Sequence, residues 1–334
     1  MKISSCLAFF ILSSAIVPAF PAETHCPGSV AGVSLRHISG YQMLVQVSVN
    51  HSDPSDFLLD TGTQVTILDQ SLAKNLNLRA QGLATPQGIG FQTSTSIAHL
   101  DELAVGVNTV SDLRVLVSNL ASRKSSGLHI KGILGEDFLR RFDMLIDNTR
   151  SLFCLDDAGL MRPGMTGQRI SLLPSPNTAN GDPSANSLIM SVCLLGGKQM
   201  VRLALDSGSD APFLYAPSEV LAAGAIEGRR RVGMGANGEQ QWLVTLPPQE
   251  IKIGGDNRSE LSFLTMRNAS QGSSVAAYDG LLPTGLFRSI FVSRSGEFAV
   301  LDPNYRRSSE RESRVHRCAF RRALHVAERS ILMQ

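Results

Sequence analysis

Phe57-Leu58-Leu59-Asp60-Thr61-Gly62-Thr63 recurs in the second half of the chain as Leu203-Ala204-Leu205-Asp206-Ser207-Gly208-Ser209. Each copy is an apolar run ending in a carboxylate, a small hydroxyl residue, a glycine and a second hydroxyl. Two such carboxylates brought face to face can do acid–base chemistry on water. At a separation of about 3 Å and an effective dielectric near 20 their repulsion is roughly 5 kcal/mol, or about 4 pK units, so the pair retains one proton. The ionised member then takes a proton from water, while the protonated member polarises a carbonyl and later donates to a leaving amine.

That chemistry needs two matching elements to carry the carboxylates. In each copy an apolar strand delivers the Asp to the end of a rigid element, and Gly62 or Gly208 permits a tight turn whose N–H groups approach the carboxylate. The hydroxyls of Thr61, Thr63, Ser207 and Ser209 are expected to donate hydrogen bonds that lock both side chains. Each copy is followed, at nearly the same distance, by a second apolar-glycine signature, Gly132-Ile133-Leu134-Gly135 and Gly280-Leu281-Leu282-Pro283. Apolar runs follow again at Met144–Asp147 and Ser289–Val292, and each half is expected to close on its own short strand, Leu152–Asp156 or Phe298–Asp302. Two long copies imply duplicated lobes rather than a solenoid.

The remaining pattern is that of an all-β protein: short β-branched runs such as Met43–Val49 and Leu188–Cys193, separated by Gly, Asn, Asp and Pro clusters. Short helices are expected over Gln70–Leu78, Ser218–Ala223 and Glu136–Arg141. With 334 residues, 43% of them apolar and 18% charged, the chain can bury two sizeable cores. Asp137, Asp143 and Asp147 read as turn or surface carboxylates. Gly233-Met234-Gly235-Ala236-Asn237-Gly238 matches a dinucleotide-binding spacing, but Arg229-Arg230-Arg231 precedes it and a strand-like run follows, so a hairpin tip is expected instead.

Lys2 followed by an apolar run from Leu7 to Val17 and small residues up to Ala22 reads as a secretory signal peptide over 1–22, too short and too interrupted for a membrane anchor. No later run is apolar enough to span a bilayer, so the mature protein is expected to be exported, periplasmic or secreted. Cys26, Cys154, Cys193 and Cys318 then meet oxidising conditions, where three complete pairings, or buried thiols, are open. No spacing suggests a metal site, and no cofactor is expected. From Tyr305 the chain carries eight Arg and three Glu. Without interleaved aromatics this composition reads as a solvated tail rather than a nucleic-acid reader. The expected division is a first lobe over 23–172, a linker over 173–187, a second lobe over 188–304 and the tail over 305–334.

The paired Asp-[Thr/Ser]-Gly-[Thr/Ser] turns, with their downstream apolar-apolar-Gly or apolar-apolar-Pro elements, resemble the aspartic proteases over roughly Met43 to Pro303. The arrangement is similar to the two-lobed pepsin form, bacterial in type and exported, with short retropepsin-like halves. The resemblance implies a bilobal acid-protease fold of two β-barrel-like lobes about a pseudo-twofold axis, with a cleft between them. It implies Asp60 and Asp206 as a catalytic dyad, with Thr61, Gly62, Thr63, Ser207, Gly208 and Ser209 in support, Thr61 and Ser207 matching the residues that brace the two turns against each other. A flap is implied at Gly88, Ile89, Gly90 and Phe91, Gly-rich like the retroviral type and without the tyrosine of pepsin-like flaps. The implied activity is an endopeptidase acting as a monomer on an extended polypeptide. A silent peptide-binding module of the same fold is the alternative. The segment before the first strand is short for an inhibitory pro-segment of the pepsin kind, so no N-terminal zymogen is expected.

Overall fold

The computed structural model describes residues 25–38, 40–84, 87–88, 91–92, 95–120, 129–173, 188–194, 199–215, 226–234, 240–266 and 278–305. The signal segment, the expected helix at Ser218–Ala223, Cys318, and nearly all of the linker and tail lie outside the described residues. The other two expected helices form, as Gln70–Asn75 and Glu136–Leu139. The first begins at Asp69, whose carboxylate accepts from Ser71 N and so caps it.

In the first half, Met43–Val49 pairs antiparallel with Ser55–Leu59, which runs parallel to Gly132–Leu134. Gly132–Leu134 meets Ile67–Asp69, which runs parallel to Asn108–Ser118, itself the partner of Thr95–Val105. The last strand returns to the first through Ser48↔Ala104 and Val49↔Leu103, closing a six-strand barrel. Residues at alternate positions fill it. Phe57 and Leu59 point into the main core with Met43, Val45, Leu134 and Phe138, while Leu58 belongs to a separate cluster with Leu44, Ile67 and Ile133.

The second half repeats this order with Ile189–Leu194, Gln199–Asp206, Gly280–Pro283, Phe213–Leu214, Leu264–Met266 and Gln240–Thr245. Its sheet curls as a half-barrel. The long hairpin that closes the first barrel is interrupted here at Pro247-Pro248, and prolines have no N–H to continue a ladder. The strand beyond them, Gln249–Ile253, makes the return pairing to Ile189–Leu194. Ile226–Met234 and Gln240–Thr245 pair antiparallel, with Gly233 and Met234 in the first of these strands and 235–238 outside the described residues.

The expectation that each half closes on its own strands is corrected by a shared six-stranded sheet. Asp143–Asp147 pairs with Leu152–Asp156 on one side and with Ser289–Ser293 of the other half on the other, in the register Met144↔Val292 to Asp147↔Ser289. Phe298–Leu301 and Arg169–Ser171 complete one edge, and Gly32–Ser34 the other. Short apolar strands cannot bury both faces within one barrel, and joining edges across the halves satisfies their backbone groups and covers them together.

Asp143 and Asp147 are likewise corrected, being buried rather than at the surface. Asp143 accepts from Arg294 N, Ser293 Oγ and the Arg162 guanidinium. Asp147 accepts from Thr149 Oγ1, Arg150 N and the Tyr305 hydroxyl. Tyr305 therefore belongs to the fold, packed on the cluster of Leu145, Cys154 and Phe291, and not to the tail. Leu173 also joins the second half, its N–H donating to Ile189 O.

Of the possible cysteine pairings the fold selects Cys26–Cys154, with Cα atoms 6.0 Å apart and 128 residues between them in sequence, and leaves Cys193 free and half-buried. Constraining so long a loop in the unfolded chain is worth roughly 2–5 kcal/mol. Cys26→Ala/Cys154→Ala is expected to lower stability by that amount, measured as the urea midpoint, and reductant is expected to do the same to the unmodified protein and nothing further to the variant.

Candidate active site

Strand alternation puts Leu58 and Asp60 on one face, and Ala204 and Asp206 on the matching face of the other half. Both carboxylates are buried, at 9% and 7% exposure. They stand against each other's turns. A Cβ on Gly62 would lie 2.6 Å from Asp206 Oδ2, and one on Gly208 would overlap Asp60 Cγ, so only glycine fits either position.

The two turns are locked by four hydrogen bonds exchanged between the halves. Thr61 Oγ1 donates to Leu205 O at 2.8 Å and accepts from Ser207 N at 3.1 Å. Ser207 Oγ donates to Leu59 O at 2.8 Å and accepts from Thr61 N at 3.1 Å. Thr61 and Ser207 therefore brace the two turns against each other, as the resemblance implies, and their hydroxyls serve the opposite backbone rather than the carboxylates. Asp60 is held by Gly62 N at 2.9 Å and Thr63 Oγ1 at 3.0 Å. Asp206 is held by Gly208 N at 2.7 Å and Ser209 N at 3.0 Å, the Ser209 hydroxyl turning away to Ala211 O. Gln42 adds a bond across the seam, to Gly208 O.

The Asp206 carboxyl is pushed well above the usual carboxylate range, first by burial and then by the negative charge of Asp60, with which it shares a hydrogen bond. The N–H groups of Gly208 and Ser209 pull the other way and lose. Asp206 is thus the member that keeps the proton.

Behind each turn stands the downstream signature. Gly135 N donates to Thr66 Oγ1, which donates to Asp137 Oδ1, while Glu136 N donates to Thr63 O. Asp137, expected at a turn or surface, is a brace for the first turn.

Of the flap candidates, Gly88 and Phe91 face each other as paired residues of two short antiparallel strands, Gln87–Gly88 and Phe91–Gln92. Ile89 and Gly90 lie between them, outside the described residues. Two residues that sequence reasoning missed flank Asp206: Tyr215 and Tyr278, with rings 5.9 Å apart, packed on Ala204, Leu281 and Phe213. Burial, then the charge of Asp206, pushes the Tyr278 phenol up to about 12, and Tyr215 is pushed further in the same direction. Their signal was available in the duplication, since Tyr278 stands three residues before Leu281 as Ile130 stands three before Ile133. Tyr215 N donates to Asp279 O just as Asp69 N donates to Lys131 O, so Tyr215 corresponds to Asp69. In the first half the equivalent space is a cavity of about 250 Å³ lined by Asp69, Ser71, Leu120, His129, Ile130 and Lys131.

Two expected outcomes follow from this geometry. Thr61→Val and Ser207→Ala each strand two buried backbone groups, at about 1–3 kcal/mol apiece. Each is expected to cost roughly 2–6 kcal/mol in urea unfolding, with the double variant costing less than the sum. Asp206, with its raised folded-state pKa, binds its proton more tightly folded than unfolded, so stability falls as pH rises from about 4 through that raised value. Calorimetry from pH 4 to 8 is expected to show this decline, and a shallower one in Asp206→Asn, the remainder coming from Glu136 and Asp137, which burial also raises.

Residues 45–138 match the family model described as aspartyl protease. A search of curated proteins finds no match. Among solved structures, the crystal structure of a retropepsin-like aspartic protease from Rickettsia conorii is similar at 19% identity and a TM-score of 0.27, over 37% of this chain and 87% of that one. In the match of residues 45–138 the chain is similar to the aspartyl proteases, and its architecture is nearly all-β and two-lobed.

Proposed function

We propose that the protein is an exported aspartic endopeptidase that cleaves an extended polypeptide held between its halves. The observation that carries this reading is the pair of buried carboxylates, each seated against the other half's glycine, with Asp206 keeping the shared proton. Asp60, the ionised member, takes a proton from a water as the water oxygen bonds to the scissile carbonyl carbon. Asp206 donates a hydrogen bond to the developing oxyanion. It then passes its proton to the amide nitrogen, the C–N bond breaks, and the oxyanion collapses to the new carboxylic acid. No bond forms between enzyme and substrate, and one proton remains on the dyad, now on Asp60, from which it returns across the carboxyl–carboxyl hydrogen bond.

The cleft walls favour different side chains on its two sides. Beside Asp60, the partly buried Leu116 and Ile130, packed on Leu58, Ile67 and Ile133, make an aliphatic side that leads to the polar cavity at Asp69 and Lys131. Ala204, Phe213, Tyr215 and Tyr278 make an aromatic wall beside Asp206, where an aromatic substrate side chain can stack. Trp242, more than half exposed near the second half's hairpin, adds apolar surface for the chain to lie on. The Cys26–Cys154 bridge supports export to an oxidising compartment, periplasmic or secreted. Both carboxylates come from one chain, which supports action as a monomer.

The test is a mixed peptide library digested from pH 3 to 7 and read by mass spectrometry, beside Asp60→Asn and Asp206→Asn. Cleavage is expected to fall by about 10²–10⁴-fold in each variant, and in the unmodified protein to decline as pH rises past the point where the dyad loses its proton. A folded protein that binds peptides but cuts none at any pH overturns the reading in favour of a binding module.

A further inference from the structure

We infer that Arg294, delivered by the second half, is a positioning residue for Asp60 of the first, acting through the buried carboxylate of Glu136. This rests on the proteolytic reading above for its role in turnover, but not for its electrostatics. Glu136 sits directly behind the Asp60 turn: its N–H donates to Thr63 O at 2.8 Å, and the Thr63 hydroxyl donates to Asp60 Oδ2 at 3.0 Å. Its side chain is 1% exposed, and Oε1 accepts from Arg294 Nη2 at 2.7 Å.

A purely structural clamp would be expected to saturate its carboxylate, as Asp143 does one strand away with donors from Arg162, Ser293 and Arg294. Glu136 does not. Its Oε2 is buried without a hydrogen bond, as is Arg294 Nε, so the pair is held mainly by charge. The arrangement is also one-sided. The position equivalent to Glu136 in the second half is Thr284, and the residue equivalent to Arg294 is Asn148, which donates to Thr284 O and Phe287 O. The duplication would make the two carboxylates alike; a charged pair stands behind Asp60 and a neutral pair behind Asp206.

The groups that act on each member are few. Glu136 is faced by Arg294 from the other half, by Asp137 on its own segment, itself faced by Arg140, and by Asp60 in front. Asp60 is faced by Asp206 and Tyr278 from the other half and by Glu136 behind. Only Arg294 cancels the Glu136 charge through a hydrogen bond. With that charge cancelled, Asp60 stays the ionised member and the base.

The test is the acid limb of kcat/KM against pH, on the best peptide from the library, for the full protein and three variants. Arg294→Met removes the cation behind Asp60 and is expected to move the limb up by less than about one pH unit, because the buried Glu136 carboxyl, now unpaired, takes up part of a proton itself. Glu136→Gln leaves a bare cation and is expected to move it down. Glu136→Gln/Arg294→Met removes both charges and is expected to bring the limb back near its original position. The same shifts are expected in the titration of the Asp60 carboxyl by 13C NMR, which needs no turnover, so absence of cleavage overturns the proteolytic reading alone and the titration decides this one. Should Arg294→Met fail to fold, the downward shift in Glu136→Gln and its reversal in the double variant decide the matter. Folded single variants with unmoved limbs and unmoved Asp60 titration, or shifts of the same sign in both, overturn the inference and leave a structural ion pair.

Discussion

The hydroxyls of Thr61 and Ser207 each serve the opposite half twice, donating to a strand carbonyl and accepting from a turn amide. Because the four bonds are buried and reciprocal, neither half satisfies its own turn alone. The distance between the carboxylates, the fit of each glycine against the opposing Asp, and the retention of one proton all follow from that lattice. Its four bonds are modest individually, but breaking the seam exposes every one of them at once.

Around this centre the two halves trade further elements. Asp143–Asp147 and Ser289–Ser293 leave their own barrels and pair with each other, and the residue that follows each reaches across to the other's apolar-glycine signature, Asn148 to Thr284 and Arg294 to Glu136. The exchange keeps the halves in one relative orientation without a rigid linker. It also lets a duplicated fold hold an asymmetric site, since the crossing residues have diverged while the framework they cross has not.

The carboxylates, their glycines and the lobe repeat could be read from the sequence because a strand ending in Asp-[Thr/Ser]-Gly-[Thr/Ser] is a local pattern and its recurrence is a strong signal. The barrels followed from period and punctuation. What escaped was whatever depends on contacts between the halves. Strands such as Asp143–Asp147 carry the same local pattern whether they close a barrel or join a shared sheet, and the burial of Asp143 and Asp147 depends on partners as distant as Arg294 and Tyr305. The residues alone point the hydroxyls of Thr61 and Ser207 at the carboxylates, whereas the family resemblance points them at the opposite turn, where their acceptors lie. Tyr215 and Tyr278 were hidden differently: they are ordinary aromatic residues until the register places them beside Asp206.

The bridge from Cys26 to Cys154 encloses the whole first barrel, including the hairpin strands at 87–92, in a covalent ring. A single backbone cut anywhere in that ring leaves both pieces attached to one molecule. A nick in the first half is then survivable, whereas one between Cys154 and Asp206 leaves the two carboxylates on separate pieces, held together by the bonds of the fold alone.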